Sequence, residues 1–500
     1  MQAENQPIPE EPRRSPGDAE KVAKAVDDAY KSMDSGSVVD SPVAELRPWP
    51  RWQIFAFRYV LLHYVLYAFP GPLRAVVQTV TGGLELAGLN TGKTPWSWLN
   101  APFTWIDSGW QWLTTQMAAL HVAPYEVIHQ PTGSGDTGEA YAQLLFIFVV
   151  SLCGTLLWSL VGSAGAYPRL GRWLHLVVRI DLAFTLFGYG FAKFYGGQFG
   201  QLSLSRLTQE IGDTWPMSMV GTFMQASKPY ELFGGACEVL GGMLLFHRRT
   251  ALLGACVSIG ALTNICALNW LYGVPVKQYS THLLLYGIGL LAPFLPQLLA
   301  VFVQNRPSQP VDLRVVTGKR ASRVLLGLGI AWVAVYLVET HVQGLKPRPW
   351  AKDLERSALY GLWTVESMAL DGKDVPSTDA TRWRDFAVDG GAIAWTRELT
   401  GKRHFFEFKW DEAAGTAQVK ERGATGDAET WTCERGRKVV KGDPPLLLRN
   451  EDRGKRVDVE RRSLVLKGKW DGHDLELHTV EKLFRLQTGF RLRQELPDFW

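Results

Sequence analysis

The chain has 500 residues, with 53 Lys or Arg against 49 Asp or Glu, so its formal net charge is only +4. This small charge, without a basic cluster interleaved with aromatic residues, argues against nucleic acid as a partner. The five cysteines are scattered and no CxxC spacing occurs. We therefore expect no disulfide framework, no attached c-type haem and no metal site.

Charged residues are sparse between positions 54 and 337 and frequent after position 346. Residues 250–276 and 278–305 contain no Asp, Glu, Lys or Arg. Each of these runs exceeds the ~20 residues that cross a hydrocarbon layer of about 30 Å. The sequence therefore predicts an integral membrane protein, with the lipid bilayer as its surroundings and a sizeable soluble domain attached.

The chain begins with a polar segment and continues with apolar ones. Residues 1–46 are rich in Pro, Glu, Asp and Ser, which predicts a disordered N-terminus. Residues 47–340 contain seven apolar segments that predict membrane-spanning helices. These segments are Trp52–Phe69, Glu139–Val161, Arg172–Tyr195, Pro229–Phe246, Thr250–Leu271, Tyr279–Val303 and Ser322–Val338.

Lys and Arg are concentrated in alternate connections between the seven segments, for example at Arg169, Arg172, Arg248 and Arg249. Cytoplasmic loops of membrane proteins carry such an excess. The distribution therefore predicts a cytoplasmic N-terminus, and seven crossings would leave the C-terminal domain on the extracytoplasmic side.

The composition changes again in the last third of the chain. Residues 341–354 contain two prolines and predict a linker. Residues 355–500 contain short alternating apolar runs separated by turn residues, a pattern typical of antiparallel strands. About 140 residues suffice for a closed barrel or a sandwich of some eight strands. The predicted fold class is an α-helical membrane bundle followed by an all-β domain.

Ionisable residues within the apolar segments are the candidate functional residues, because a charge in hydrocarbon costs at least ~2.5–3.5 kcal/mol. Arg58 and Asp181 lie at similar depths, counted in residues from the same end of their predicted spans. Their side chains could therefore pair, with Arg179 nearby. Lys193 and Glu231 both fall near the outer surface and could also pair. These pairs either hold helices together or take part in a function.

Glu238 differs because it falls near the middle of the bilayer. It shares one helix face with a second carboxylate and four glycines, since all lie at 3.6-residue spacing. This face consists of Glu231, Gly234, Gly235, Glu238, Gly241 and Gly242. Small residues let a neighbouring backbone approach, which would place both carboxylates in a helix interface. Glu238 is then either a satisfied structural carboxyl or a proton relay.

Three further polar residues accompany Glu238 in the apolar region. Asn264 and Asn269 on the next span are candidate hydrogen-bond partners of its carboxyl group. His282, in the outer half of the sixth span, is either a donor to a quinone-type carbonyl or an interfacial anchor.

Several ordered blocks carry a resemblance to a known family. They include FGYGFAKFYGGQF with Lys193, the glutamate-glycine helix 231–242, and the arginine turn at Arg248 and Arg249. Over roughly residues 56–303 the chain resembles the DoxX-like membrane family in a long bacterial form. The resemblance implies a multi-pass protein of the bacterial cytoplasmic (inner) membrane. Some members are linked to quinone-dependent sulfur oxidation or redox homeostasis, so quinone is the cofactor class that it suggests.

The soluble domain carries a second resemblance. GLWTVE at residues 361–366 is similar to the Gly-x-Trp of a first lipocalin strand. This resemblance implies a lipocalin-like barrel in which Trp363 closes one end and Arg493 covers that tryptophan.

Three functions are open at this point. The first is an accessory redox- or quinone-linked membrane component. The second is a non-enzymatic envelope protein whose barrel binds an apolar ligand or a protein partner. The third is a membrane chaperone or modifying enzyme similar to the lipase maturation factors. The chain contains no nucleophile elbow, phosphate loop or metal-binding histidine pair, so the sequence does not decide whether it is an enzyme.

Overall fold

A computed structural model describes the chain in ten stretches. These are residues 49–88, 101–120, 134–162, 165–308, 310–316, 318–345, 357–390, 392–425, 427–443 and 457–482. The predicted disordered segment 1–46 and Arg493 lie outside the described residues. The chain forms two compact units: unit one comprises the described residues up to 120, 141–176 and 312–335, and unit two comprises the other described residues.

Helices form most of unit one. They are α1 (Arg51–Ala68), α2 (Gly71–Leu86), α3 (Ala101–Ala119), α4 (Gly138–Val161) and the first turns of α5 (Pro168–Phe194). Gly154 on α4 faces the side chain of Leu62 on α1, so these two helices approach closely. Leu157 and Leu160 of α4 are exposed, as expected for side chains that contact lipid.

Unit two contains the rest of α5 and the helices that follow it. They are α6 (Leu204–Leu207), α7 (Pro216–Ala226), α8 (Lys228–Phe246), α9 (Ala251–Leu271), α10 (Lys277–Leu290), α11 (Leu295–Leu298), a π-helical turn (Leu299–Val303) and α12 (Lys319–Leu345), whose first part belongs to unit one. Helix α12 continues into the predicted linker 341–354, because no proline interrupts it before Pro347.

Five of the described helical segments are long and apolar enough to cross a membrane. A sixth is obtained when α1 and α2, which meet at a bend of 44°, are counted as one span. All seven predicted segments are largely helical, but α8, which carries Glu231 and Glu238, is not among the five. The structure therefore supports a membrane protein, and the count of seven spans stays a prediction.

The C-terminal domain is a closed antiparallel barrel, which confirms the all-β prediction. Its strands are β1 (Gly361–Leu370), β2 (Lys373–Asp374), β3 (Trp383–Asp389), β4 (Ile393–Glu398), β5 (Arg403–Asp411), β6 (Thr416–Glu421), β7 (Glu429–Asp443), β8 (Val457–Trp470) and β9 (His473–Lys482). β1 pairs with β3, each strand from β3 to β8 pairs with the next, and β9 returns to β1, whereas the two-residue β2 pairs only with the end of β1. Eight strands thus form the barrel wall.

Aromatic side chains fill the barrel interior. The ring of Trp431 lies 6.4 Å from that of Trp383 and 6.0 Å from that of Phe406. Gly468 makes room for this cluster, because a Cβ atom there would lie 2.1 Å from Cδ1 of Trp431. Alternation along β5 points Phe406 inward, 1% exposed, while Phe405 is 40% exposed. The core therefore combines packed aromatic rings with aliphatic side chains such as Leu464 and Leu477.

Trp363 is buried in the barrel core, and its closure of one barrel end stays a prediction. Its indole N–H donates to the carbonyl of Leu359 at 3.1 Å. The guanidinium of Arg462, on β8, lies 5.2 Å from the centre of the indole ring. Arg462 also pairs with Glu481 and donates to the carbonyl of Tyr360 at 2.9 Å. Among the described residues, Arg462 thus lies over Trp363, and the role predicted for Arg493 stays a prediction.

The barrel contacts the connection between α5 and α8. Leu204 of α6 is buried in a cluster that includes Trp395 of β4. Arg397 donates to the carbonyl of Thr208 at 2.8 Å, and Arg403 donates to the Thr208 hydroxyl at 3.1 Å. The barrel and this connection are therefore on the same side of any membrane that the helices cross.

Candidate functional site

Glycines of α8 bring three helices into close contact. A Cβ atom on Gly235 would lie 2.9 Å from the carbonyl oxygen of Gly190 on α5. A Cβ atom on Gly241 would lie 2.8 Å from the hydroxyl oxygen of Ser258 on α9. The prediction that the glycine stripe permits a close helix approach is confirmed, and the stripe serves two neighbours, α5 and α9.

The carboxylate of Glu238 is paired with Lys193 across the α5–α8 interface. Lys193 Nζ donates to Glu238 Oε2 at 2.5 Å, and both side chains are buried. Lys193 thus pairs with Glu238 and not with Glu231, the partner that the sequence suggests. The lysine reaches deeper because its stem lies along the glycine face: its Cβ and Cδ are 3.1 Å and 3.6 Å from the position that a Cβ on Gly235 would occupy.

Glu231 is held by a residue that sequence reasoning missed. Lys228 Nζ donates to Glu231 Oε2 at 2.8 Å and to the backbone carbonyl of Lys193 at 3.0 Å. The available signal was the i,i+3 spacing of Lys228 and Glu231 in the first turn of α8. Glu231 is only 1% exposed, and among the described residues its Oε1 has no hydrogen-bond partner.

The four side chains form a charge-balanced cluster, which we call the Lys–Glu cluster: Lys193, Lys228, Glu231 and Glu238. Each carboxylate has one ammonium partner, which offsets part of the cost of burying the charges. Both lysines contribute from the ends of their helices, Lys193 from the last turn of α5 and Lys228 from the first of α8. Chemically, the cluster offers a hydrogen-bond acceptor, Glu231 Oε1, that has no partner among the described residues.

The asparagines do not join the Lys–Glu cluster. Within the described stretches, neither Asn264 nor Asn269 hydrogen-bonds to Glu238, and Asn264 is exposed. Asn264 follows the buried Leu262 by two residues. Its side chain therefore points roughly 200° away from that of Leu262 around the axis of α9. His282 is buried and donates from Nδ1 to the carbonyl of Gln278 at 2.8 Å, so this nitrogen serves its own helix.

Arg58 lies in a second polar site, within unit one. Its guanidinium donates to the Tyr167 hydroxyl at 2.6 Å and to the Ser159 hydroxyl at 3.1 Å. It also lies 5.3 Å from the centre of the Trp158 ring. This aromatic and hydroxyl environment satisfies a buried cation. Asp181 belongs to unit two, so its predicted pairing with Arg58 stays a prediction.

Comparison with known proteins gives one informative match. No family model and no solved structure matches the chain. A protein of Bacillus subtilis (strain 168), described as uncharacterized protein YwoB, is 34% identical over 138 residues. The match covers 28% of this chain and 85% of that protein. Its description assigns no activity.

Proposed function

The chain belongs to the same family as YwoB of Bacillus subtilis, and we propose that it is an accessory redox- or quinone-linked membrane component whose working site is the Lys–Glu cluster. The observation that carries the proposal is Glu231 Oε1, a buried carboxylate oxygen without a partner among the described residues. Buried polar atoms normally have partners, so this oxygen fits a ligand that brings its own O–H donor. A hydroquinone headgroup has that chemistry.

The residues of the cluster have separate roles in this proposal. Glu231 accepts the hydrogen bond from the headgroup, and Lys228 fixes the orientation of that carboxylate. Glu238 holds or releases a proton, while Lys193 keeps its charge balanced. When bound, the quinone supplies the two-electron redox chemistry, and a redox partner protein exchanges those electrons.

The same proposal includes the topology and the family. The DoxX resemblance and the Lys/Arg distribution support a bacterial inner-membrane protein with a cytoplasmic N-terminus. The contact of Arg397 with Thr208 supports a barrel on the same side as Lys193 and Lys228, hence extracytoplasmic. A reporter enzyme fused after Trp500 tests this: activity in the cytoplasm would contradict the topology.

Binding of a short-chain benzoquinol to the purified full chain in lipid nanodiscs tests the function. The unmodified chain should bind in a saturable way. Glu231→Gln should weaken binding by about tenfold, because a hydrogen bond to a charged acceptor is stronger than one to a neutral amide. Glu210→Gln is the matched control, since Glu210 is an exposed carboxylate in the connection between α5 and α8.

Absence of saturable binding to the unmodified chain would refute the proposal. Equal affinity of the Glu231→Gln variant would remove Glu231 from the site. A cellular readout is also available: Glu238→Gln should impair growth under oxidant, whereas Glu210→Gln should not.

The filled barrel favours a second candidate function, binding of a protein partner. Rings of Trp383, Phe406 and Trp431 occupy the interior where a lipocalin-like barrel would hold an apolar ligand. The outer surface is then the part that recognises a partner. Mass spectrometry of the purified chain tests for a retained apolar molecule. A molecule that Gly468→Ala displaces would instead support a ligand inside the barrel.

A further inference from the structure

Three arginines concentrate positive charge at the turn between α8 and α9. The turn contains His247, Arg248, Arg249 and Thr250. Burial lowers the pKa of His247, and so do the charges of Arg249, Arg248 and Arg179. The rings of Phe184 on α5 and Phe246 at the end of α8 are 5.4 Å apart. Arg179 precedes Phe184 by five residues on α5, which places Arg179 beside the same turn.

Helix α9 begins at this turn without a side-chain cap. Its N-cap residue is Thr250, whose side chain accepts no hydrogen bond from the first backbone N–H groups. The Thr250 hydroxyl instead donates to the carbonyls of Leu244 at 2.7 Å and His247 at 3.1 Å. Among the described residues, the N-cap side chain thus leaves the first backbone N–H groups of this 21-residue helix uncapped, at the positive end of the helix dipole.

Arg179 provides an independent indication of a missing acceptor. The residue is only 6% exposed, and among the described residues its Nε has no hydrogen-bond partner. Buried donors of this kind normally have an acceptor. Since the packing of Phe184 against Phe246 places Arg179 beside the turn, the acceptor belongs there.

We propose that this turn binds a phosphate oxyanion, supplied by the headgroup of an anionic phospholipid. Arg179, Arg248 and Arg249 provide the guanidinium groups, which match phosphate geometry, and the N-terminus of α9 provides backbone donors. A turn between two helices of a membrane bundle lies at headgroup depth. Basic pockets in such positions recognise anionic lipids.

Native mass spectrometry of the full chain tests the proposal with two lipids that share the same acyl chains. One is dioleoyl phosphatidylglycerol, and the other is dioleoylglycerol, which lacks the phosphate. The unmodified chain should retain the phosphatidylglycerol and release the dioleoylglycerol. Arg179→Gln should weaken retention about fivefold, and Arg248→Gln with Arg249→Gln about 25-fold, since each near-surface arginine contributes roughly a factor of five.

Arg306→Gln is the matched control, because Arg306 is an exposed arginine in the connection that follows α10 and its π-helical turn. If Arg179→Gln fails to fold, Arg179→Lys keeps the charge but removes the planar donors and should weaken retention less. The double variant changes only the turn and tests the site separately.

Equal retention of the two lipids, or retention that the double variant leaves unchanged, would overturn the proposal. A third arm addresses the source of the phosphate. Inorganic phosphate that stabilises the detergent-solubilised chain as strongly as phosphatidylglycerol does would overturn the assignment to a lipid.

Discussion

Around Glu238 the contacting surfaces consist of glycine and backbone, whereas around Trp431 they consist of large aromatic rings. The carbonyl of Gly190 lies 2.9 Å from the position of a Cβ on Gly235, while Trp431 packs against Trp383 at 6.4 Å between ring centres. Lipid tails are as apolar as leucine, so helices in a membrane gain from close approach and polar pairs rather than from apolar burial. In water, burial of aromatic surface is the larger gain.

This contrast predicts opposite sensitivities to substitution. The bundle should be sensitive to added volume at the glycines that contact a neighbouring backbone, and to loss of a charge partner. The barrel should be most sensitive to loss of volume. Four substitutions test this difference.

The largest effect is expected for Phe406→Ala in the barrel. Removing a ring that contacts Trp383 and Trp431 leaves a cavity and should lower the free energy of unfolding by about 3–5 kcal/mol. Phe405→Ala is the control, because its ring points outward on the same strand. Denaturant titration followed by circular dichroism measures both. Equal losses would mean that the interior rings do not form the core.

Lys193→Met should be nearly as harmful in the bundle. It leaves the Glu238 carboxylate buried without its cation, which costs about 3–5 kcal/mol. Adding Glu238→Gln to the same chain should restore most of the loss, because the unpaired charge is then absent. Size-exclusion profiles after graded heating in detergent report the folded fraction. A double variant as unstable as Lys193→Met would contradict the pairing.

A smaller loss is expected for Gly235→Ala. Its Cβ would lie 2.9 Å from the carbonyl of Gly190, so the helices must separate, at a cost of about 1–3 kcal/mol. The neighbouring Gly234→Ala meets only the Cδ of Lys193, at 4.0 Å, and should be neutral or slightly stabilising. The same heating assay separates the two. Similar losses at both positions would show that helix approach is not limited at Gly235.

The smallest effect is confined to acidic pH, at Glu398. Burial raises the pKa of this carboxyl, but hydrogen bonds from His404 and Thr400, each at 2.8 Å, outweigh burial and leave the pKa below its ordinary value. The resulting stabilisation is complete above the pKa of the unfolded chain, about 4.3, and is lost as the pH falls through the folded pKa.

Glu398→Gln should therefore make Tm fall less steeply as the pH decreases in the acidic range. The measurement is the thermal midpoint of the full chain over a pH series, with Glu407→Gln, an exposed carboxylate on β5, as the control. Parallel profiles for Glu398→Gln and the unmodified chain would contradict the role of this carboxylate.

Local patterns were enough to predict both fold classes. Alternation and turn residues predicted the barrel, and the first strand begins at Gly361, where the GLWTVE motif starts. Apolar length predicted the helices, and the spacing of glycines predicted the close face of α8. These features depend on residues that are close together in the chain, so one sequence is enough to predict them.

Partners across the fold were harder to predict. Position along the predicted spans suggests a pairing of Lys193 with Glu231. In the structure, the flexible four-carbon side chain of Lys193 extends along the glycine face to Glu238. The register between strands places Arg462 over Trp363. This register cannot be predicted from any short stretch of the sequence. The part played by Lys228 was missed because it depends on the position of the Lys193 carbonyl, which only the folded bundle provides.

The contact between Arg397 and Thr208 joins residues that are 189 positions apart in the chain. During synthesis, the connection that carries Thr208 leaves the ribosome long before the barrel does. A polypeptide that stops short of the barrel leaves Leu204 uncovered and the Thr208 carbonyl without its guanidinium donor. The connection that carries Leu204 and Thr208 therefore reaches its final packing only after the barrel has been synthesised.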